Sequence, residues 1–540
     1  MKKKVKIMQT YNAVDLFCGA GGLSLGFTQT GRVQIIAAAE NNPNARKTYK
    51  RNLKVSRLYS DVRTIDYAEL LDSVGTVDLV IGGPPCQGFS NANRQHTSVI
   101  SMNNRLVKEY VRAICELQPK AFVMENVAML RSQVHRFMVD ENDLLDERVM
   151  NLGLSSDEVE ILPASAVFDG AMDFVNQICQ GNALPWAESF FKIINLLYRY
   201  RINQEKFDKT IDKHKKQLSA KLTEICEFYS GDDDISLAQQ LDRRMANLLL
   251  EYMKDSSLDF DTVIKSIETP LFMQKAISKM KELSENDVHV FDIKEAKGSI
   301  VAVVKSYAVL DYIKCILESE PYSYTLTAQV LNAIHYGAPQ KRERFIIVGT
   351  SKDMKECSPP KVEYSENFRT VYDAISDLQE VPVSTDKDAK PVELTTPLQI
   401  STLGKNLRGR LLYNHIVTAS TDTALKRFKA LKAGQNFHDL DPQLKSTYSN
   451  AARTQNTIYM RLKYNEPSGT VVNVRKSMWI HPVLDRAISI REAARLQTFP
   501  DSFVFEGTKD SQYQQVGNAV PPFLAKAIAE SIIEVLDAEE

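Results

Sequence analysis

The sequence predicts an α/β fold built on a doubly wound, mostly parallel sheet. Near the N-terminus, short apolar runs alternate with helical stretches, as they do when each buried strand is followed by a crossover helix. Turn residues or ligand-type residues follow each run. The predicted strands are Ala13–Phe17, Val33–Ala39, Val77–Ile81 and Ala121–Met124. Because ligands bind at the carboxyl edge of such sheets, we expect the functional site there.

The length and composition indicate a large soluble protein. A chain of 540 residues allows three or four domains, or one large core with insertions. With 44% hydrophobic and 25% charged residues, it is neither a disordered nor a fibrous protein. Lys and Arg number 67 and Asp and Glu 68, so the formal net charge is −1. Any nucleic acid must therefore be bound by a local basic patch.

The seven cysteines are scattered and form no Cys-x-x-Cys pair, which argues against a disulfide framework or a zinc site. We expect a reducing compartment and no bound metal. The N-terminal lysines run into polar residues, and no stretch approaches the about 18 apolar residues of a membrane span. These features predict a cytoplasmic protein without membrane contact.

The pattern divides the chain into five segments. Residues 1–130 and 301–355 form two parts of the α/β domain, and residues 131–300 read as an inserted helical subdomain. Apolar stripes at helical spacing run from Phe207 to Ile225 and from Leu237 to Tyr252, the second with Ser236 as N-cap. The lysines between Lys206 and Lys221 fit a solvated helix face better than a nucleic-acid contact.

The α/β pattern returns from Val301, with a helix to about Glu318 and strands at Tyr324–Leu331 and Arg344–Gly349. A proline-containing break then opens a second lobe, residues 356–482, and residues 483–540 return to the α/β domain. Within the lobe, Ser401–Lys432 carries seven Lys and Arg residues and a single acid, Asp422. This stretch is a candidate nucleic-acid surface, although a basic loop without a partner has the same composition.

The first predicted strand leads into a glycine-rich turn within Asp15–Phe27. Gly19, Gly21 and Gly22 allow close approach of the backbone to a ligand, and Glu40 ends the next strand, where an acid binds ribose hydroxyls in dinucleotide sites. Such a turn also occurs as a mere tight connection. By itself it does not distinguish a nicotinamide cofactor from S-adenosylmethionine.

Two further strands lead to reactive side chains. Cys86 follows a buried strand on a turn stiffened by Pro84 and Pro85, a position that predicts a nucleophile. Glu125 ends another strand and is either a solvated strand end or a buried acid kept for proton transfer. Together they suit methylation of cytosine C5, in which a thiolate adds to C6 and an acid interacts with N3, so that C5 attacks a sulfonium methyl.

With these motifs the chain resembles the DNA cytosine C5-methyltransferases of bacterial and phage type. The motifs follow the family's usual order: Asp15–Phe27, Glu40–Asn41, Asp61–Val62, Gly83–Ser90, Glu125–Val127, Gln340–Arg344, Arg491–Pro500 and Gln515–Pro522. The resemblance implies a Rossmann-like class I methyltransferase domain that uses S-adenosylmethionine, with a smaller target-recognition domain. It also implies a monomer that methylates a specific double-stranded DNA sequence, paired with a restriction endonuclease.

The resemblance also implies roles for individual residues. Cys86 would be the nucleophile, Glu125 the N3 partner, and Arg344 a donor to the cytosine O2 side, with Gln340 and Arg342 holding that strand edge together. Cofactor binding would fall to residues of the turn, the strand ends and the C-terminal segment: Phe17, Gly19, Gly21, Gly22, Glu40, Asn41, Asp61, Val62, Pro84, Asn518 and Val520.

DNA contacts are implied on both sides of a cleft. Gln87 and Ser90 would lie on the catalytic side, and Thr470 would bind phosphate. The candidate base readers are Asn473, Arg475, Lys476 and Trp479. Arg and Asn suit major-groove reading of guanine and adenine.

Two departures from the family pattern stand out. Ser101–Leu106 lacks the Asp and Arg that the family shows there, and the insertion of about 170 residues has no assigned role. Two other functions fit the motifs: the same chemistry on tRNA or other RNA, and a catalytically silent DNA-binding protein. The basic second lobe favours duplex DNA. The presence of Cys86, Glu125 and Arg344 together argues against a silent protein.

Overall fold

The structure is a computed structural model that describes residues 9–85, 104–131, 136–179, 181, 185–228, 236–255, 258–395, 399–448 and 450–538. The described residues of Met1–Gln87, Asn103–His135 and Ile313–Glu540 form one compact unit, and those of Arg136–Tyr312 form a second. Among the helices so described, none is long and apolar enough to cross a membrane.

The strands of the described residues are β1 (Tyr11–Leu16), β2 (Val33–Ala39), β3 (Arg57–Tyr59), β4 (Leu79–Gly82), β5 (Ala121–Asn126), β6 (Arg136–Met138), β7 (Ser155–Leu162), β8 (Val290–Ala296), β9 (Ser299–Ala308), β10 (Thr325–Asn332), β11 (Glu343–Thr350), β12 (Val392–Glu393) and β13 (Leu411–Leu412).

The α-helices of the same residues are α1 (Gly22–Thr28), α2 (Pro43–Asn52), α3 (Tyr67–Val74), α4 (Asn104–Leu117), α5 (Glu147–Met150), α6 (Ala171–Cys179), α7 (Glu188–Arg199), α8 (Gln204–Phe228), α9 (Leu237–Lys254), α10 (Phe260–Glu285), α11 (Val309–Glu318), α12 (Val371–Ile375), α13 (Thr402–Leu407), α14 (Asp422–Ala430), α15 (Pro442–Lys445), α16 (Val474–Ser477), α17 (Ile490–Leu496), α18 (Lys509–Asn518) and α19 (Pro522–Asp537).

The first unit is built on a seven-stranded sheet in the order β10-β11-β5-β4-β1-β2-β3. The five strands from β5 to β3 are parallel to their neighbours, and β11 is antiparallel to both β5 and β10. This is the predicted doubly wound sheet, and the four N-terminal strands lie within two residues of their predicted bounds. The strand order reverses between β1 and β4, where open α/β sheets bind ligands.

Hydrophobic packing fixes the sheet against the C-terminal helix. Apolar side chains of β1, β2, β4 and β11 share a buried core with Leu524, Ile528 and Ile532 of α19. Burying a side chain of this size is worth about 1.5–3 kcal/mol. The C-terminal segment is therefore part of the same core as the N-terminal strands, although it is about 500 residues away in the sequence.

A short helix of buried charges, α17, joins the second lobe to the C-terminal segment. Arg495 is fully buried and pairs with Asp377 at 2.5 Å and with Asp501 at 2.6 Å. Burial alone would raise the pKa of Glu492, but the hydrogen bonds and charge of Arg486 outweigh it and hold that pKa at about 2. Glu492 and Arg495 therefore stay ionised because their partners are in place.

The second unit differs from the helical insertion that the sequence predicts. Helices α8 and α9 are present, and Ser236 caps α9 as expected. The unit also contains an antiparallel sheet in which β9 pairs with β6, β7 and β8. Val301, where the sequence predicts that the α/β pattern returns, lies within β9 of this antiparallel sheet. That strand has a nearly continuous apolar run, which sequence alone does not distinguish from a strand of the parallel sheet.

Candidate active site

Glu125 and Arg344 meet at the carboxyl edge of the sheet. Glu125 is the penultimate residue of β5, and Arg344 is the second residue of the antiparallel neighbour β11, so these two strand ends lie side by side. Arg344 Nε lies 2.5 Å from Glu125 Oε1, and the two side chains are 13% and 14% exposed. This burial and pairing rule out a solvated strand end for either residue.

The turn after β4 lies directly against this pair. A Cβ atom placed on Gly83 would lie 2.9 Å from Glu125 Oε2, so a side chain at this position would displace the carboxylate. The turn is also tied to β5, because Asn126 Nδ2 donates to the carbonyl of Pro84 at 3.0 Å. The residues that precede Cys86 are thus held beside Glu125. Cys86 itself, Gln87, Ser90 and residues 101–103 of the atypical stretch lie outside the described residues.

Arg342 and Gln340 connect this edge to two distant segments. Arg342 is 1% exposed and donates to the carbonyls of Val471 at 2.7 Å and Gly517 at 2.9 Å. Gln340 is fully buried and accepts from the backbone N–H of Val471 at 3.1 Å. Burial lowers the pKa of Arg342 well below its ordinary value, and the charge of Arg344 lowers it further. Arg342 thus holds the strand edge together from within the protein.

The glycine-rich turn follows β1 on the other side of the strand-order reversal. Phe17, Gly19 and Gly21 have φ values of 60°, 54° and 94°, in the left-handed region that favours glycine. A Cβ atom on Gly22 would lie 2.4 Å from the carbonyl oxygen of Val520, so the C-terminal segment packs directly on the turn. A Cβ atom on Gly19 would meet no atom within 4 Å, and open space therefore borders the turn there.

Glu40 fixes the shape of this turn. Its Oε2 accepts from the backbone N–H of Gly19 at 2.9 Å, and its Oε1 accepts from that of Asn42 at 2.7 Å. Arg46 donates to the carbonyls of Glu40 and Asn41 at 2.7 and 2.8 Å. The structure thus brings Glu40 and Asn41 into contact with the rest of the predicted cofactor turn.

Three more of the predicted cofactor residues form hydrogen bonds or ion pairs with other residues of the protein. Asp61 follows β3 and pairs with Arg63, whose hydrogen bonds lower the pKa of the Asp61 carboxyl. Val62 is buried, and its carbonyl accepts from Arg112 at 3.2 Å. Asn518 is exposed and accepts from Gln514 at 2.7 Å.

Asp15 is a buried acid that the sequence analysis did not assign. It lies in β1, is fully buried, and accepts from Ser24 Oγ at 2.5 Å; Ser24 is in turn 2.7 Å from the hydroxyl of Tyr49. Burial raises the pKa of Asp15 to about 8. Its Oδ1 is buried without a hydrogen-bond partner among the described residues. The signal in the sequence is a carboxylate inside an apolar strand run.

The predicted base-reading segment is mostly engaged within the protein. Trp479 is 2% exposed, so its prediction as a base reader is wrong. Asn473 is 8% exposed, and its side chain caps α16 and donates to Gln514 at 3.0 Å, which makes it a structural residue here. Arg475 is exposed but pairs with Asp510 at 2.8 Å. Lys476 is exposed.

Thr470 lies between this segment and the strand edge. It is half-buried, and its hydroxyl donates to the carbonyl of Lys341 at 2.8 Å. The hydroxyl oxygen can still accept a hydrogen bond, but its donor is already used. Thr470 is thus held beside β11, next to the residue that precedes Arg342.

Comparison with known proteins identifies the family of the chain. A family model for C-5 cytosine-specific DNA methylases matches residues 11–147 and 304–534, roughly two thirds of the chain. The chain belongs to this family. It is therefore an enzyme, a DNA cytosine C5-methyltransferase. The unmatched residues between 147 and 304 fall in the second unit.

Relatives extend the similarity over nearly the whole chain. The Type II methyltransferase M.DdeI of Desulfomicrobium norvegicum is 24% identical over 96% of this chain and 88% of its own. The DNA (cytosine-5-)-methyltransferase M.ApeKI of Aeropyrum pernix is 28% identical over 98% of this chain and 100% of its own. A crystal structure of a prophage-encoded E. coli protein, assigned as a DNA modification methyltransferase, has a TM-score of 0.53 at 18% identity, covering 98% and 100% of the two chains. That structure supports the fold.

Proposed function

We propose that the protein transfers a methyl group from S-adenosylmethionine to C5 of a cytosine that is flipped out of a specific double-stranded DNA sequence. The observation that carries this proposal is the Glu125–Arg344 pair beside the Gly83 turn at the edge of the sheet. Relatives named Type II methyltransferases support a role as the modification enzyme of a restriction–modification system. A cognate endonuclease belongs to the same proposal.

In this mechanism Cys86 is the nucleophile. Its Sγ forms a bond to C6 of the ring while Glu125 donates to N3 and Arg344 donates to the O2 side, where negative charge develops. C5 then attacks the methyl group, which S-adenosylmethionine supplies. Water then takes the C5 proton, N3 returns its proton to Glu125, and Cys86 leaves C6 as the thiolate, which restores the aromatic ring. The protein residues thus bind, orient and exchange protons around one extruded base.

The residues of the glycine-rich turn fit this cofactor. The open space beside Gly19 admits a ligand next to the backbone. Each carboxylate oxygen of Glu40 accepts one backbone hydrogen bond and retains capacity to accept from ribose hydroxyls. The Oδ1 atom of Asp15, which has no hydrogen-bond partner among the described residues, belongs to the strand that enters the same turn. In this proposal Phe17, Asp61, Val62, Pro84, Asn518 and Val520 complete the pocket.

DNA binding in this proposal uses accessible groups next to the strand edge. Thr470 turns its hydroxyl away from the carbonyl of Lys341 and donates to a phosphate oxygen beside the flipped base. Arg475 and Lys476 are the exposed cations of the neighbouring helix α16. Gln87 and Ser90, in the same turn as Cys86, are the proposed contacts from the catalytic side.

Covalent trapping tests the proposal. Duplex DNA containing 5-fluorocytosine, incubated with the protein and labelled S-adenosylmethionine, should give a denaturant-resistant protein–DNA adduct, because fluorine at C5 cannot leave as a proton does. Cys86→Ala should form no adduct and transfer no methyl group while binding the cofactor normally, whereas Glu40→Ala should mainly weaken cofactor binding. Label appearing only in tRNA, or no adduct from a folded and cofactor-bound protein, would contradict the proposal.

A further inference from the structure

A row of unpaired lysines follows one side of α14 in the second lobe. Lys426 and Lys429 lie three residues apart on this helix, and Lys432 follows just beyond its C-terminal end. All three side chains are exposed. None takes part in an ion pair among the residues that the structure describes. We call these three residues the lysine ridge.

The opposite side of α14 is fixed in the core, so the lysine ridge is held facing outward. Arg427 is 4% exposed and donates to Leu444 O at 2.8 Å, to the hydroxyl of Tyr459 at 3.0 Å and to Thr447 Oγ1 at 2.7 Å. Phe428 is fully buried in the same cluster as Tyr459. The seven cations of Ser401–Lys432 therefore have different roles, with Arg427 structural and the lysine ridge presented to solvent.

Some lysines on other exposed helices have an acidic partner one turn away. On α7, Lys192 pairs with Glu188 at 2.5 Å, and on α8, Lys209 pairs with Glu205 at 2.5 Å. On α14, Asp422 lies four residues before Lys426, but the two form no ion pair among the described residues, and the helix contains no other acid. The helix therefore has a net positive charge, which raises the local positive potential.

Backbone hydrogen bonds tie α14 to the helix that carries Arg475 and Lys476. Gly434, just beyond the lysine ridge, donates to the carbonyl of Arg461 at 2.8 Å. Two residues before Arg461, Tyr459 donates to the carbonyl of Ser477, the last residue of α16, at 2.8 Å. The two groups of exposed cations thus belong to one folded part of the second lobe.

We propose that the lysine ridge binds backbone phosphates of duplex DNA and so sets the position of α16 on the target site. This inference rests on the proposed function. A lysine ammonium is a mobile point charge that suits phosphate and carries little base selectivity. The lysine ridge would therefore supply affinity that is independent of sequence, while selectivity comes from other residues.

The salt dependence of DNA binding tests the proposal. The triple variant K426A/K429A/K432A is compared with wild type and with K213A/K215A/K216A, which removes three exposed lysines from α8 in the second unit. The probe is a mixed-sequence DNA duplex, titrated at several KCl concentrations. The plot of log K against log [KCl] has a negative slope. For each phosphate-contacting lysine that is removed, the magnitude of this slope should decrease by about 0.9, and the affinity at about 0.1 M salt should fall about eightfold.

The outcomes separate this proposal from the function on which it rests. A reduced slope in the α14 triple variant alone, restored by Lys→Arg at the same three positions, supports the lysine ridge. Equal slopes in both triple variants and wild type, or equal losses in both triples, overturn it while leaving methylation untouched. If the wild-type protein binds no duplex at all, both proposals fail. Titration with S-adenosylhomocysteine verifies that each variant retains its folded cofactor pocket.

Discussion

The strand edge at Glu125 and the segment that follows Thr470 represent two ways in which this sequence uses polar residues. At the strand edge, the chemically reactive groups point toward one another and remain slightly exposed, as the 2.5 Å contact between Glu125 and Arg344 illustrates. In the segment after Thr470, Asn473 and Trp479 point inward and hold the segment itself. Candidate functional residues therefore have opposite roles in the two regions.

The difference teaches where a polar residue in a sequence predicts function. Strands of a parallel sheet end at a common edge, so the position of a reactive residue at a strand end can be predicted from the sequence. A short irregular segment has no such periodicity, and its side chains are as free to cap a helix as to meet a ligand. The variants below test whether the strand edge has a functional role and the segment after Thr470 a structural one.

The largest effect should come from Glu125→Gln at the strand edge. Glutamine keeps the size of the side chain but cannot supply a proton to N3, so methyl transfer should fall about 10²- to 10⁴-fold with cofactor binding unchanged. The measurement is single-turnover transfer of labelled methyl groups. The control is Glu343→Gln, which changes an exposed acid next to Arg344 on β11 and should behave as wild type. Equal rates in the two variants would contradict the role of Glu125.

Asp15→Asn should change how stability depends on pH. Because the folded state raises the pKa of Asp15 to about 8, its contribution is present at acidic pH and is lost as pH rises through about 8. Each unit of pKa is worth about 1.4 kcal/mol, and asparagine has no such titration. Urea unfolding between pH 5 and pH 9 should therefore show a flatter profile for the variant. Identical profiles would mean that Asp15 is not a buried neutral acid.

Two variants of Trp479 distinguish a structural role from base reading. Trp479→Ala should lower the free energy of unfolding by about 3–5 kcal/mol because the side chain is buried. Trp479→Phe should cost less, since the indole Nε1 has no hydrogen-bond partner among the described residues. The methylated sequence, read by bisulfite sequencing, should be the same in the Phe variant as in wild type. A changed sequence would restore Trp479 as a base reader.

Gly83→Ala tests the tight contact at the strand edge. The added Cβ atom would lie 2.9 Å from Glu125 Oε2 and must displace that carboxylate. A misplacement of about 1 Å at a reacting group costs on the order of 10²-fold in rate. Gly153→Ala is a control, because a Cβ atom there meets no atom within 4 Å. Full activity in Gly83→Ala would show that the carboxylate tolerates displacement.

The smallest effects should be found at the Arg475–Asp510 pair. If Arg475 reads a guanine, Arg475→Ala should cost about 1–3 kcal/mol at one base pair and relax selectivity there. Asp510→Asn should free Arg475 and strengthen DNA binding by less than about 1 kcal/mol, the usual worth of an exposed ion pair. Binding to a panel of single-base variants of the target distinguishes these effects. A sequence-independent loss in Arg475→Ala would make it a phosphate contact.

The sequence predicts the regular part of the fold and the strand-edge residues because both follow from local patterns. The strand runs Val33–Ala39 and Ala121–Met124 are apolar on both faces, and Glu125 follows directly. The pairing of β11 with β5 joins segments more than 200 residues apart, and no local pattern predicts it; the motif resemblance predicts only that Glu125 and Arg344 act at one site.

The remaining differences have physical causes that local patterns do not contain. Strand β9 pairs within the second unit although its apolar run suits the parallel sheet equally well. The pairing of Arg475 with Asp510 and the burial of Trp479 depend on long-range packing between α16 and α18. Side-chain direction in such segments is set by tertiary contacts, which no local periodicity reports.

Bisulfite sequencing of DNA from cells that express the protein tests the central claim most directly. We expect cytosines at one short sequence to be protected in cells with the wild-type protein and unprotected in cells with Cys86→Ala at equal expression. Protection in both, or in neither while the purified protein is folded and binds its cofactor, would contradict a cysteine-dependent DNA cytosine C5-methyltransferase.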